Sequence, residues 1–177
     1  FIADLHLTTE RPAINQQFFE FIEKIVPAAE ALYILGDLFE YWVGDDDSDN
    51  PLNQSVAATL AKLAQHHAGG TKVFFLHGNR DFLLGKNFAE RAHAQLIRDP
   101  TLINLYGTPT LLMHGDTLCT DDMQYQKARA RYHNPLFQAL LLRLPLSWRH
   151  QLARKLRADS EANKKGKSVD IMDVTPA

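Results

Sequence analysis

Four short apolar runs, residues 1–3, 31–35, 72–76 and 110–113, each end in residues that turn a chain or bind a metal. The exits read ADLH (Asp4, His6), LGD (Asp37), HGN (His77, Asn79) and MHGD (His114, Asp116). Runs this short, bounded by Gly, Asp, His and Asn, predict buried strands. Two helical patterns separate the first three. Residues 13–26 put Ile14, Phe18, Phe21, Ile22 and Ile25 on one stripe. The second pattern has Asn50 or Asp49 as cap, Pro51 in its first turn, and Val56, Leu60 and Leu63 facing inward. Strand–helix–strand–helix–strand predicts an α/β fold with a mostly parallel sheet. A third helix is expected over residues 86–93. Residues 102–106 and 110–113 should form a hairpin around Gly107-Thr108-Pro109.

In open α/β sheets, ligands bind outside the carboxyl ends of the strands. Four loops therefore deliver carboxylate, imidazole and amide groups toward one sheet edge. Asp4 and His6 are one residue apart, and a chain turning out of a strand there can project both to one side. Singly, each element has an ordinary explanation: Asp-x-His as a surface turn, His114 as a satisfied core histidine, Arg80 as the partner of Asp81. The ordered set is much more specific than any member. Asp45, Asp47 and Asp49 imitate the start of a calcium loop. The required glycine is replaced by Asn50 and the twelfth position is Val56, so this run reads as loop and cap. His77 reads as support for its loop, and His66-His67 as a helix end. Asp116 and Cys119 either serve the metal loops or simply pack.

Charge divides the chain. Residues 1–122 carry 8 Lys and Arg against 17 Asp and Glu; residues 123–168 carry 11 against 2. An acidic body that can hold cations is followed by a basic segment that can hold anions. Within that segment residues 125–131, 136–144 and 148–157 look helical, broken at Asn134-Pro135 and Pro145. Trp148, Leu152 and Leu156 form one stripe, with Arg149, Arg154, Lys155 and Arg157 on other faces. Leu136, Phe137, Leu140, Leu141 and Leu144 would either line an apolar groove or close a small helical core. The one cysteine, Cys119, excludes an intrachain disulfide and fits a reducing cytosol. No apolar run approaches the ~18 residues of a membrane span.

The series Asp-x-His, Gly-Asp, Gly-Asn-Arg-Asp and His, in that order from Asp4 to His114, resembles the calcineurin-like metallophosphoesterases. The resemblance implies a four-layer α-β-β-α sandwich with an inserted helical cap. It assigns residues 1–121 to the core and 122–168 to the cap, with 169–177 returning to the core. It implies two divalent metals, expected to be Mn²⁺. Asp4 and His6 would bind the first and Asp37 both, with Asn79 and His114 binding the second. Oxygen and imidazole donors of this mix suit Mn²⁺, Fe or Zn²⁺ rather than Ca²⁺. The phrases FIADLHL, LYILGDLFEYWVGDDD, FFLHGNRDFLLG and MHGDTLCTDD, with SEANKKGKS and IMDV, narrow the likeness to one branch. Its members hydrolyse the pyrophosphate of UDP-2,3-diacylglucosamine in lipid A biosynthesis, giving UMP and 2,3-diacylglucosamine 1-phosphate.

By the same likeness Asp37, Asn79, Arg80 and His114 are catalytic, Arg80 by stabilising charge on the phosphoryl oxygens. Asn79, Arg80, Asp122, Tyr125, Ser160, Asn163, Lys164 and Lys167 would bind substrate. Unaided, Asp122 reads as a helix cap, Tyr125 as packing, and Ser160 to Lys167 as a polar basic loop. The expected partners are a lipid-linked nucleotide substrate and an anionic inner-membrane surface. The protein is expected to be a monomer that binds no nucleic acid, in the cytoplasm and peripheral on the cytoplasmic face of that membrane. Rival readings are a nucleotide or dinucleotide phosphoesterase on the same scaffold, and a non-catalytic metal- or lipid-binding fragment. The Gly-His-x-His element that the family pattern places after the cap does not occur in these 177 residues. The sequence is therefore expected to be part of a longer chain.

Overall fold

The apolar runs and the helices between them assemble as alternating strands and crossovers in a computed structural model. It describes residues 1–65 and 70–166, with backbone only for residues 161–166. Helix α1 (Pro12–Lys24) starts with proline in its first turn, where no intrahelical N–H is needed, and buries Phe18 and Ile22. Ile25, expected on the same stripe, is exposed. The helix ends at Lys24, and the short 3₁₀ turn Val26–Ala28 buries Val26 instead. Strand β1 (Ala31–Leu35) follows. Helix α2 (Pro51–Gln65) is capped by Asn50, whose side-chain oxygen accepts from the N–H groups of Leu52 and Asn53 at 3.0 and 3.4 Å. Its face of Val56, Leu60 and Leu63 is buried.

Strand β2 (Lys72–Leu76), helix α3 (Lys86–Arg91) and strand β3 (Ala94–Ile97) complete a three-stranded parallel sheet in the order β1-β2-β3. Sequence reading did not find β3. It is four residues long, partly exposed and without a periodic pattern of its own. Leu32, Ile34, Val73 and Phe75 from the sheet pack with Phe18, Ile22, Val56, Leu60 and Phe88 from the helices in one core.

Two expectations change here. Residues 1–3 do not form a full strand. The first segment runs beside β1 through the isolated parallel bridges Ile2–Ile34 and Leu7–Phe39. Positive φ at Asp4 (55°) and His6 (51°) interrupts the extended backbone between them. The fourth run is not in this sheet either. Strands β4 (Thr101–Leu105) and β5 (Thr108–Leu112) pair antiparallel as a separate two-stranded sheet. Their turn is Tyr106-Gly107, both with positive φ (51° and 91°), the backbone a two-residue hairpin requires. Pro109 therefore lies within β5, opposite Asn104, rather than in the turn.

The chain divides into two compact units, Phe1–His114 and Gly115–Ala177. The second holds α4 (Met123–Tyr132), α5 (Pro135–Leu142) and α6 (Leu146–Gly166). Asp122 caps α4 and Asn134 caps α5, each accepting from backbone N–H groups of the first turn. Leu141 is buried, but Leu136 and Leu140 are exposed, as are Trp148, Leu152 and Leu156 on α6. Arg149, off the Trp148-Leu152-Leu156 stripe, is buried, and its Nε donates to the Leu144 carbonyl at 3.0 Å. Helix α6 continues nine residues beyond Arg157, so Ser160, Asn163 and Lys164 lie on a helix and not in a loop. The alanines, glutamate and lysines of that segment are good helix formers, and lysines suit the end of a helix dipole. Lys167 lies outside the described residues, as do His66, His67 and residues 169–177. None of the helices among the described residues is long and apolar enough to cross a membrane.

Candidate metal centre

The exit from β1 sets the site. Gly36 and Asp37 both have positive φ (92° and 53°), as do Asp4 and His6 in the neighbouring segment. For a residue with a Cβ this conformation costs roughly 1–2 kcal/mol. Asp and His tolerate it better than most residues, and such strain collects where side-chain aim matters. Backbone bonds from Asp4 N–H to Gly36 (3.1 Å) and from His6 N–H to Asp37 (3.0 Å) lock the two turns together.

Asp4, Asp37 and His114 offer ligand atoms that all lie within 4.8 Å of one another. Asp37 is buried, and its two oxygens have different neighbours. Oδ1 accepts from the Arg80 backbone N–H at 2.8 Å. Oδ2 is 4.0 Å from His6 Nε2 and 3.8 Å from His114 Nε2. These gaps are too long for hydrogen bonds. Two donors each about 2.1 Å from a common ion stand roughly 3–4 Å apart.

His114 Nδ1 lies 2.9 Å from the Leu35 carbonyl. A carbonyl only accepts, so Nδ1 carries the proton and Nε2 presents its lone pair toward Asp37. His6 Nδ1 is buried with no hydrogen-bond partner. The other ring nitrogen, Nε2, is the one that faces the Asp37 carboxylate and can serve as a ligand there. The Asn79 amide nitrogen is 3.4 Å from His114 Nε2, and a half-turn of the amide presents its oxygen instead. The five expected ligands, Asp4, His6, Asp37, Asn79 and His114, are thus brought together, and their donor chemistry suits a divalent transition metal. His114 arrives from the second sheet, so the site spans the ends of both sheets.

Sequence reading missed three supports. Asp81, fully buried, accepts from the N–H of Leu38 through Oδ2 and of Gly78 through Oδ1, both at 2.8 Å, tying the β1 exit to the β2 exit. Arg80 pairs with buried Glu40 (Nη1–Oε1 3.7 Å) rather than with Asp81. Asp45 accepts from Gly85 N–H (2.9 Å) and Phe88 N–H (3.0 Å) at the start of α3 and from Trp42 Nε1 (3.1 Å). Only a motif of adjacent charged residues marked Asp81, and nothing local distinguished Glu40. His77 does support its loop, through Nε2 and the Leu84 carbonyl at 2.7 Å.

In the second unit, Asp122 accepts from Tyr125 N–H at 3.0 Å. The Tyr125 hydroxyl donates to Asp116 Oδ2 at 2.6 Å, and Arg129 Nε meets the same oxygen at 2.7 Å. Gln126 donates to the carbonyls of Asp116 and Cys119. Asp116 thus organises the start of α4.

Burial and the neighbouring Asp81 push the Asp37 carboxyl up to about 6, against the opposing pull of His114, the Arg80 N–H and His6. Burial likewise raises Asp81 to about 6. A metal held by Asp37 would need its carboxylate, and protons would compete below that value. Mn²⁺ affinity measured by calorimetry should change little from pH 7.5 to 6.5. From about pH 6 to 5 it should fall by up to roughly tenfold for this one proton. Folding of the chelated protein has the opposite sign. Each raised carboxyl contributes stability that is present below its unfolded value of 3.8 and is lost as pH rises through about 6.

Carboxylate and imidazole groups gathered at strand exits are the arrangement expected of metal-dependent phosphoester hydrolases. The calcineurin-like phosphoesterase family model matches residues 1–171, and the chain belongs to that family. Among curated proteins it is similar to the UDP-2,3-diacylglucosamine hydrolase of Hahella chejuensis, 52% identical over 99% of this chain and 70% of the relative. The proteins of the same name from Pseudomonas aeruginosa PAO1 and Yersinia enterocolitica are 52% and 51% identical, each over 99% of this chain and 72% of the relative.

Proposed function

We propose that the protein hydrolyses the pyrophosphate bond of UDP-2,3-diacylglucosamine to UMP and 2,3-diacylglucosamine 1-phosphate, with two Mn²⁺ ions held by Asp4, His6, Asp37, Asn79 and His114. The observation that carries this reading is the single Asp37 oxygen flanked by two imidazole nitrogens, at 4.0 and 3.8 Å. When bound, the two ions supply an activated water and a clamp on the phosphoryl oxygens. The chain's own residues do the rest. Asp37 keeps Oδ2 turned toward His6 and His114 because the Arg80 N–H holds Oδ1. The Leu35 carbonyl keeps the His114 proton on Nδ1. Arg80 neutralises charge as it builds on the phosphoryl group.

Asp122, Tyr125, Ser160, Asn163, Lys164 and Lys167 are proposed to bind the substrate's sugar and phosphate groups. The exposed Leu136, Leu140, Trp148, Leu152 and Leu156, with Arg154 and Lys155 beside them, support peripheral binding to an anionic membrane leaflet, here taken as the cytoplasmic face of the inner membrane.

The test is UMP release with Mn²⁺ from the lipid substrate and from an unacylated UDP-sugar. Burying even four methylenes at ~0.8 kcal/mol each would favour the lipid by about 10²-fold in kcat/KM. Equal rates on both would point instead to a phosphoesterase of soluble nucleotides.

A further inference from the structure

Arg80 is clamped at its backbone on both sides. Its N–H donates to Asp37 Oδ1 at 2.8 Å, and its carbonyl accepts from Trp42 N–H at 2.9 Å. The backbone is therefore placed by the metal loop, but the long side chain has many rotamers from that point. One carboxylate restricts it. Glu40 Oε1 lies 3.7 Å from Arg80 Nη1, with the Glu40 side chain 6% exposed and that of Arg80 17%. Glu40 is itself anchored, because its N–H donates to the Leu7 carbonyl at 3.0 Å, in the segment that carries Asp4 and His6. A buried glutamate three residues after Asp37 has no use as a metal ligand here. The His6 and His114 nitrogens face Asp37 Oδ2, whereas Glu40 meets the guanidinium.

We propose that Glu40 is a positioning residue for the reaction, aiming the Arg80 guanidinium so that it meets the phosphoryl group during transfer. The inference rests on the charge-neutralising role given to Arg80 above. Glu40 acts on the reaction through Arg80 and not through the metal or the substrate. Its effect should therefore vanish when Arg80 is removed, which a role in the fold alone would not do.

The test is a double-mutant cycle on Mn²⁺-loaded protein with Glu40→Gln, Arg80→Met and the pair. Misaiming a transition-state cation should lower kcat by roughly 10- to 100-fold with little change in KM. Bound Mn²⁺ should stay at the level of the unaltered protein. In the Arg80→Met background, Glu40→Gln should change kcat by less than about twofold. Equal losses in both backgrounds, or no loss in the first, would overturn the proposal. If Glu40→Gln fails to fold or loses its metal, Glu40→Asp takes its place, keeping the charge one methylene short. The same coupling is expected, and additivity again overturns the proposal. If the unaltered protein releases no UMP from the lipid, the substrate reading fails separately. The cycle is then read on bis(p-nitrophenyl) phosphate.

Discussion

Asp37→Asn should lower Mn²⁺-dependent turnover by about 10³-fold while leaving the metal-free protein at least as heat-stable as before. The two halves have separate causes. Asparagine keeps an oxygen for the Arg80 N–H, which now meets Asp37 Oδ1 at 2.8 Å, so the loop should hold its shape. It removes the anionic oxygen that faces both His6 and His114. Metal ions supply several kcal/mol of transition-state stabilisation, and each ~1.4 kcal/mol is tenfold in rate. The metal-free fold, in contrast, loses a carboxyl that burial and Asp81 push up to about 6. At pH 7 that group is ionised at a cost to folding, and the neutral amide relieves it. Steady-state rates and melting temperatures of the chelated protein check both halves. A variant with turnover within tenfold of the parent would remove Asp37 from the centre. A collapsed melting temperature would make it a folding residue.

Gly78→Ala should damage both fold and site without removing a ligand. A Cβ on Gly78 would stand 2.1 Å from Asp37 Oδ1 and 2.5 Å from Asp37 N. One on Gly36 would stand 2.7 Å from Gly78 N and Cα and 2.7 Å from His114 Nδ1. The two strand exits meet glycine to glycine, closer than any side chain permits. Forced separation of packed backbone costs about 3 kcal/mol, or a melting temperature lower by roughly 6–12 °C for a chain of this size. Because the displaced atoms belong to Asp37, Mn²⁺ affinity should fall more than about tenfold in calorimetry. Gly107→Ala is the contrast. Its Cβ would meet nothing within 4 Å, so only the strain at φ 91° is felt and metal affinity should not change. Unchanged melting and unchanged affinity in Gly78→Ala would contradict the close contact.

The candidate site was legible because strand exits are punctuated by the residues that turn chains, and here those residues also carry metal-binding groups. The order of runs and loops brought Asp4, His6, Asp37, Asn79 and His114 to strand exits, and the family resemblance gave them their expected part as ligands. Their supports were not legible. Asp81 works through backbone N–H groups of Leu38 and Gly78, and Glu40 through a guanidinium forty residues away. Such contacts depend on which loops meet, and periodicity carries no signal for that. The parallel β1-β2 pairing followed from the helical crossover, but β3 was too short to leave a pattern and residues 1–3 only imitated a strand. The end of α6 was misread because Ser, Asn and Lys serve a basic loop as well as the last turns of an exposed helix.

The central claim is that Asp37 joins two metal ions. Electron paramagnetic resonance of the Mn²⁺-loaded protein tests it most directly. An exchange-coupled pair of Mn²⁺ ions is expected, giving way in Asp37→Asn to uncoupled ions or none. A spectrum of isolated Mn²⁺ in the parent protein, unchanged in Asp37→Asn, would contradict the account.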